Sequence, residues 1–182
     1  MKNSKISVQD ICSIAIMAAI TAVLAQISIP MPMGVPMTMQ TFAVTLAGVI
    51  LGSKKGAVSQ IVYVLLGAVG VPVFANFNGG VQALVGPTGG FLLSFPIMAF
   101  LIGLGVEMKD KKGMFTLFLV LGTLANYAIG VVMYCAITQS SVMTGITACV
   151  LPFIPTAVIK AVLAAVLGLQ IRKRLVRALQ WA

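Results

Sequence analysis

Pro152–Arg174 reads PFIPTAVIKAVLAAVLGLQIRKR, an apolar stretch that closes in a cluster of cations. About 20 apolar residues, at ~1.5 Å of helical rise each, cross the hydrocarbon core of a bilayer. Cations at the end of such a run mark the side on which it emerges. The rest of the chain repeats this pattern. Of its 182 residues, 60% are hydrophobic and 8% are charged; a soluble domain carries about 25% charged residues. Long apolar runs with charge only between them read as an all-α, polytopic membrane protein, a single integral domain over residues 1–182.

Working outward, the sequence predicts six transmembrane helices: Val8–Ile29, Thr38–Leu51, Lys55–Val69, Phe91–Val106, Gly113–Ala136 and Pro152–Arg172. Lys2 and Lys5 precede the first. Lys54 and Lys55 fall between the second and third. Lys109, Lys111 and Lys112 fall between the fourth and fifth, and Arg172, Lys173, Arg174 and Arg177 close the sixth. The connections 30–37, 70–90 and 137–151 carry no charge. Positive charge alternates with each crossing, so both termini are expected to be cytoplasmic and the uncharged connections to face outward. Lys2, Lys5 and the apolar run after them also resemble a cleavable leader. Gln9 and Asp10 fit that poorly, and the segment is read as a first helix.

The outer connection GVPVFANFNGGVQALVGPTGG, Gly70–Gly90, is long and rich in glycine, aromatic rings and amides. Irregular backbone at a membrane must be satisfied by protein or water. Its apolar residues favour a packed segment acting as a lid over a cavity, rather than a loose exterior loop.

Lys160 stands apart from the other cations. It sits inside the sixth span, ~12 Å along the helix from its outer end. A basic residue at depth costs about 2.5–3.5 kcal/mol on insertion scales. All three acids, Asp10, Glu107 and Asp110, are assigned to the opposite side. The amine either snorkels to the interface, loses its proton, or faces a wet cavity and awaits an external anion. Asn126, Thr38, Gln40, Thr41, Thr45 and Ser94 crowd the outer halves of their helices and favour the cavity; Ser59 and Gln60, nearer the inner side, run against a purely one-sided pattern. Singly, such residues serve interhelical hydrogen bonds. Small residues at Ala15 and Ala19, with Ala18 and Ala22 beside them, and again at Gly48 and Gly52, allow close helix approach. That approach is either internal or toward a second membrane subunit.

Several function classes lack their parts. The chain has no histidine, hence neither the usual general base nor the usual metal ligand. No G-x-x-x-x-G-K-[ST] phosphate loop occurs, and no intramembrane acid offers a proton relay. Cys12, Cys135 and Cys149 have no metal-ligand spacing and read as small apolar residues.

Four blocks carry a family likeness: VPMTMQTFAVTLAGVILGSKKG (Val35–Gly56), LLGAVGVPVFANFNGG (Leu65–Gly80), GPTGGFLLSFP (Gly86–Pro96) and PFIPTAVIK (Pro152–Lys160). They resemble the BioY family, the biotin-specific S-components of energy-coupling factor (ECF) transporters. The resemblance implies a six-helix protein of the bacterial cytoplasmic membrane that captures biotin from outside. It implies a transmembrane coupling protein and two ATPase subunits as partners, and no cofactor. The family's sixth-helix motif resembles Pro-Gly-Asp, two residues, then Lys. Here Pro155 and Lys160 match, and the acidic position is Ala157; the aromatic position, often Tyr, is Phe91. On this resemblance Lys160 pairs with the biotin carboxylate. Asn126, Gln40, Asn76, Asn78 and Gln82 are candidates for its polar groups, and Phe74, Phe77 and Phe91 for its bicycle. Ala15 and Ala19 match the docking pattern for the coupling protein. The competing readings are a self-contained facilitator or channel for another small organic anion, and a structural subunit that binds no ligand.

Overall fold

The computed structural model describes residues 7–31, 34–108 and 113–179. Lys2, Lys5, Lys109, Asp110, Lys111 and Lys112 of the topology argument lie outside the described residues. In chain order the helices are α1 (Val8–Ala25), α2 (Gln40–Leu51), α3 (Ser53–Ala68), α4 (Val81–Leu84), α5 (Gly89–Glu107), α6 (Met114–Thr138), α7 (Val142–Cys149) and α8 (Ile154–Leu179). The six expected spans correspond to α1, α2, α3, α5, α6 and α8. Among the described residues, four stretches are long and apolar enough to cross a membrane: α1, α5, α6 and Val142–Arg177. α2 is apolar but has 12 residues, and α3 has 16.

α1 begins where chemistry tells it to. Ser7 Oγ accepts the Asp10 N–H at 3.2 Å, and Asp10 Oδ2 accepts the Ser7 N–H at 3.3 Å, a reciprocal cap of two orphan donors. Asp10, awkward in an apolar run, is thus the residue that starts the helix. α1 then buries Met17, Ala18, Thr21 and Ala25 and packs against α2 and α3.

The expected charged connection between the second and third spans does not exist as a loop. α2 ends at Leu51, α3 begins at Ser53, and Gly52 alone turns the chain with φ 83°. Side chains lack easy access to that conformation, which is why the hinge is glycine. Both helix ends at the hinge are capped from elsewhere. Glu107 accepts from Ser53 N at 2.7 Å and from Ser53 Oγ at 2.9 Å, placing a carboxylate at the start of α3. Arg172 donates to the Ile50 carbonyl at 2.8 Å and to the Val49 carbonyl at 3.3 Å, placing a cation at the end of α2. Each charge complements the helix dipole it meets. Lys55, in the first turn of α3, pairs with Asp10.

α2 and α3 run antiparallel from this hinge, and at their far ends Gln40 meets Tyr63. α2 and α5 approach closely because Gly48 is small: a Cβ there would lie 2.6 Å from the Ala99 carbonyl oxygen. Gly48 therefore serves internal packing, whereas Ala15 and Ala19 are exposed. Val44, Val49, Tyr63, Phe95, Met98 and Ile102 fill the core between α2, α3 and α5.

All three uncharged connections carry short ordered elements. Residues flanking 30–36 form an antiparallel pair of strands, β1 (Ser28–Ile29) and β2 (Met37–Thr38), with Ser28 opposite Thr38. The 70–88 connection holds a 3-10 turn at Ala75–Phe77 and the short α4. The last holds α7 and a 3-10 turn, Leu151–Phe153, that leads into α8. Segments this short show too little periodicity to be read from sequence.

Candidate functional site

All three connections converge on one cavity of about 230 Å³. Its walls are the foot of α2 (Gln40, Thr41) with Thr38, the start of α5 (Phe91, Leu92, Phe95), Asn126 and Tyr127 of α6, and Lys160 of α8. Val35 and Pro36 close it on one side, Cys149 and Phe153 on another, and Phe74, Ala75, Asn76 and Asn78 roof it. The cavity lies at the end of the bundle away from Gly52, Glu107 and Arg172.

Lys160 reaches in from α8, half-buried, and donates to the Thr38 carbonyl oxygen at 3.0 Å. An ammonium has three hydrogens to donate. No Asp or Glu among the described residues lines the cavity. Asp10 and Glu107 are engaged at the hinge end. The amine therefore meets a dipole but no counter-charge.

From Thr38 a chain of hydrogen bonds runs to the roof. Thr38 Oγ1 donates to Gln40 Oε1 at 2.9 Å, Gln40 Nε2 donates to Tyr63 Oη at 2.7 Å, and Tyr63 Oη donates to the Val73 carbonyl at 3.1 Å. Gln40 thus lines the cavity with both ends of its amide already engaged. Asn126 is 2% exposed. Its Nδ2 donates to the Phe91 carbonyl at 3.1 Å and to Ser94 Oγ at 2.7 Å. A carbonyl only accepts, so Phe91 fixes the amide orientation and leaves Asn126 Oδ1 as the group offered to the cavity.

The apolar surface is aromatic. Phe74 is buried, edge-on to Tyr63 with centroids 5.6 Å apart; a side chain at Gly67 would occupy the space of its ring. Phe91 packs edge-on to Tyr127 at 6.5 Å and over Gly130, where a Cβ would likewise collide with the ring. Phe95 stacks on Tyr63 at 6.4 Å.

Of the residues singled out from sequence, Lys160, Asn126, Gln40, Asn76, Asn78, Phe74 and Phe91 line the cavity. Gln82 and Phe77 do not. Gln82 lies on the exposed side of α4, and its amide folds back onto the Gly79 carbonyl at 3.0 Å. Phe77 is 73% exposed because the left-handed turn at Asn76 and Phe77 swings its ring outward. Sequence reasoning missed Phe95, Tyr127, Val35, Cys149 and Phe153. Phe95 was within reach, one helical turn beyond Phe91 and hence on its face. The contributions of the first and third connections carried no periodic signal.

Comparison with known proteins follows this geometry. The profile of the BioY family matches residues 1–177. The biotin transporter BioY of Thermotoga maritima is 42% identical over 161 residues, covering 87% of this chain and 92% of the relative. The biotin transporter BioY2 of Lactococcus lactis is 36% identical, covering 98% and 95%. Among solved structures, the S-component for biotin from an ECF-type ABC transporter superposes with a TM-score of 0.82 at 28% identity, covering 95% of both chains.

Proposed function

The chain belongs to the BioY family, and from that premise we propose that its cavity captures biotin as the S-component of an ECF transporter. It is a transporter component of the membrane, not an enzyme. The observation that carries the reading is the Lys160 ammonium, which opens on a cavity lined by no acid among the described residues. Biotin supplies the missing carboxylate, and a charge-assisted hydrogen bond in a site of low dielectric is among the stronger polar contacts. Ala157, at the family's acidic position, leaves the lysine without an in-house competitor for that role. The bicycle fits against Phe74, Phe91, Phe95 and Tyr127. Asn126 Oδ1 accepts from a ureido N–H, and Asn76 and Asn78 serve the same polar groups from the roof. The 70–88 connection acts as the lid, excluding water once biotin is seated.

All of the chain works as one membrane domain, with six crossings and both termini in the cytoplasm of a bacterial cell. Clustering of Lys55, Arg172, Lys173, Arg174 and Arg177 away from the cavity supports this orientation. Uptake is energised by two ATPase subunits through a transmembrane coupling protein, for which the exposed Ala15 and Ala19 of α1 form the docking face. Equilibrium binding of labelled biotin to the purified chain tests the reading, with lipoate and thiamine as controls. Selective biotin binding is expected; equal binding of all three, or of none, overturns it.

A further inference from the structure

A side chain outside the cavity lining holds the roof in place. Gln26 follows the last residue of α1. Its Nε2 donates to the Phe74 carbonyl at 3.1 Å, to the Ala22 carbonyl of its own helix at 3.1 Å, and at 3.4 Å to the Val73 carbonyl. Its Oε1 accepts the Phe77 N–H at 2.9 Å. One amide therefore grips the roof on both sides of Ala75 and Asn76, two residues that line the cavity. Nothing in the sequence marks Gln26, because its partners are backbone groups far along the chain.

The turn it grips has reason to let go. Asn76 and Phe77 have φ of 59° and 54°, in the left-handed region that Asn tolerates and Phe avoids. The exposed ring of Phe77 contributes little packing to offset that strain, so the hydrogen bond from its N–H is a principal restraint. Tyr63, by contrast, holds only the root of the roof at Val73. Phe74 is anchored by its own ring in the core. The segment just beyond it is closed on itself by the Phe74 N–H to the Asn78 carbonyl at 2.9 Å, and Gln26 is the side chain that ties this turn to α1.

We infer that Gln26 is a positioning residue that latches the pocket roof and sets how long the ligand is retained. This rests on the biotin reading of the cavity and extends it to the control of release. The latch belongs to α1, so the position of that helix is communicated to the roof. At the seam between α1 and α3, Gln60 Nε2 donates to Thr21 Oγ1 at 3.2 Å, and Lys55 pairs with Asp10.

Two variants of the full chain test the latch. Gln26→Leu keeps the bulk and removes every hydrogen bond. It should speed amide exchange at Phe77 in the ligand-free protein and raise the biotin dissociation rate roughly tenfold, the worth of about one net hydrogen bond. Its preference for biotin over biotin amide should be unchanged, since Lys160 is untouched. Gln26→Glu keeps an acceptor for the Phe77 N–H, but at pH 8 it sets a carboxylate against the three carbonyls that Nε2 served, so the dissociation rate should rise. It should recover toward wild type near pH 5, where the protonated acid regains a donor, each measurement taken against wild type at the same pH. Unchanged exchange and dissociation in Gln26→Leu, or a Gln26→Glu defect that ignores pH, overturns the inference. If the wild-type chain binds no biotin, the cavity reading fails, and exchange at Phe77 still decides the latch.

Discussion

Lys160 Nζ lies 3.0 Å from the backbone carbonyl of Thr38, across 122 positions of sequence. A carbonyl orients an ammonium without neutralising it. The same residue, Thr38, starts the hydrogen-bond chain through Gln40 and Tyr63 to Val73. The cation and the roof are thereby connected through one polar network: the ammonium proposed to meet the ligand's charge and the segment over the cavity are positioned together. Such networks are costly when one member is lost.

Replacing Lys160 by Met removes the charge and keeps the stem. Biotin affinity should fall by about 10- to 100-fold, the range for a hydrogen bond to a charged group. Affinity for biotin amide should change little, because that ligand brings no carboxylate. Lys160→Arg should not restore wild-type binding, since a planar fork does not fit where a compact ammonium meets Thr38. Isothermal titration of both ligands against the three proteins checks this; equal losses for acid and amide would remove the pairing.

Gly67 does not line the cavity, yet its lack of a side chain is what seats Phe74. A Cβ at Gly67 would overlap that ring, which is 2% exposed and lines the cavity. Gly67→Ala should therefore displace the ring into the binding space and cost at least tenfold in biotin affinity, about 1.4 kcal/mol. Trimming the ring in the double variant Gly67→Ala/Phe74→Leu should recover part of the loss. A double-mutant cycle on biotin binding measures the coupling, and additive effects would refute the steric account.

The sequence made Lys160 legible because a lone cation in an apolar run is expensive and every acid could be assigned elsewhere. Asn126 and the aromatic–amide richness of the 70–90 connection were legible for similar reasons of composition. Gln26 and Tyr63 were not. Each bonds to the backbone of another segment, and no residue type announces a main-chain partner. The outward turn of Gln82 and Phe77 depended on backbone geometry at Gly80, Asn76 and Phe77, which composition does not encode. Two lysines at 54 and 55 suggested a loop; the chain instead turns on Gly52 alone, with Glu107 and Arg172 supplying the caps a loop would have provided.

That hinge makes a stability prediction independent of the ligand. Gly52 has φ 83°, and a Cβ on it would lie 2.6 Å from Glu107 Oε1. Gly52→Ala should destabilise the chain by about 1–3 kcal/mol through backbone strain alone, with more from the displaced carboxylate. Glu107→Gln keeps an acceptor for Ser53 but removes the charge at the start of α3, for a loss of roughly 0.3–2 kcal/mol. Thermal unfolding in detergent should rank wild type above Glu107→Gln and that above Gly52→Ala. An unchanged midpoint for Gly52→Ala would contradict the hinge.

The last prediction separates binding from assembly. Ala15 and Ala19 are exposed on α1, while Ala18 beside them is 2% exposed and packed inside. One face of the helix thus belongs to the core, and its neighbour presents small residues to the outside, where a partner helix can approach closely. Ala15→Trp or Ala19→Trp should leave biotin affinity within about twofold, since neither residue lies on the cavity and surface substitutions usually change stability by less than about 0.5 kcal/mol. Both should abolish co-purification with the coupling protein and ATP-dependent uptake in proteoliposomes. Ala18→Trp should instead destabilise the chain itself, because it overfills the core. Biotin uptake by the chain alone, without ATP and indifferent to Ala15→Trp, would point to a self-contained facilitator and remove the docking face from the mechanism.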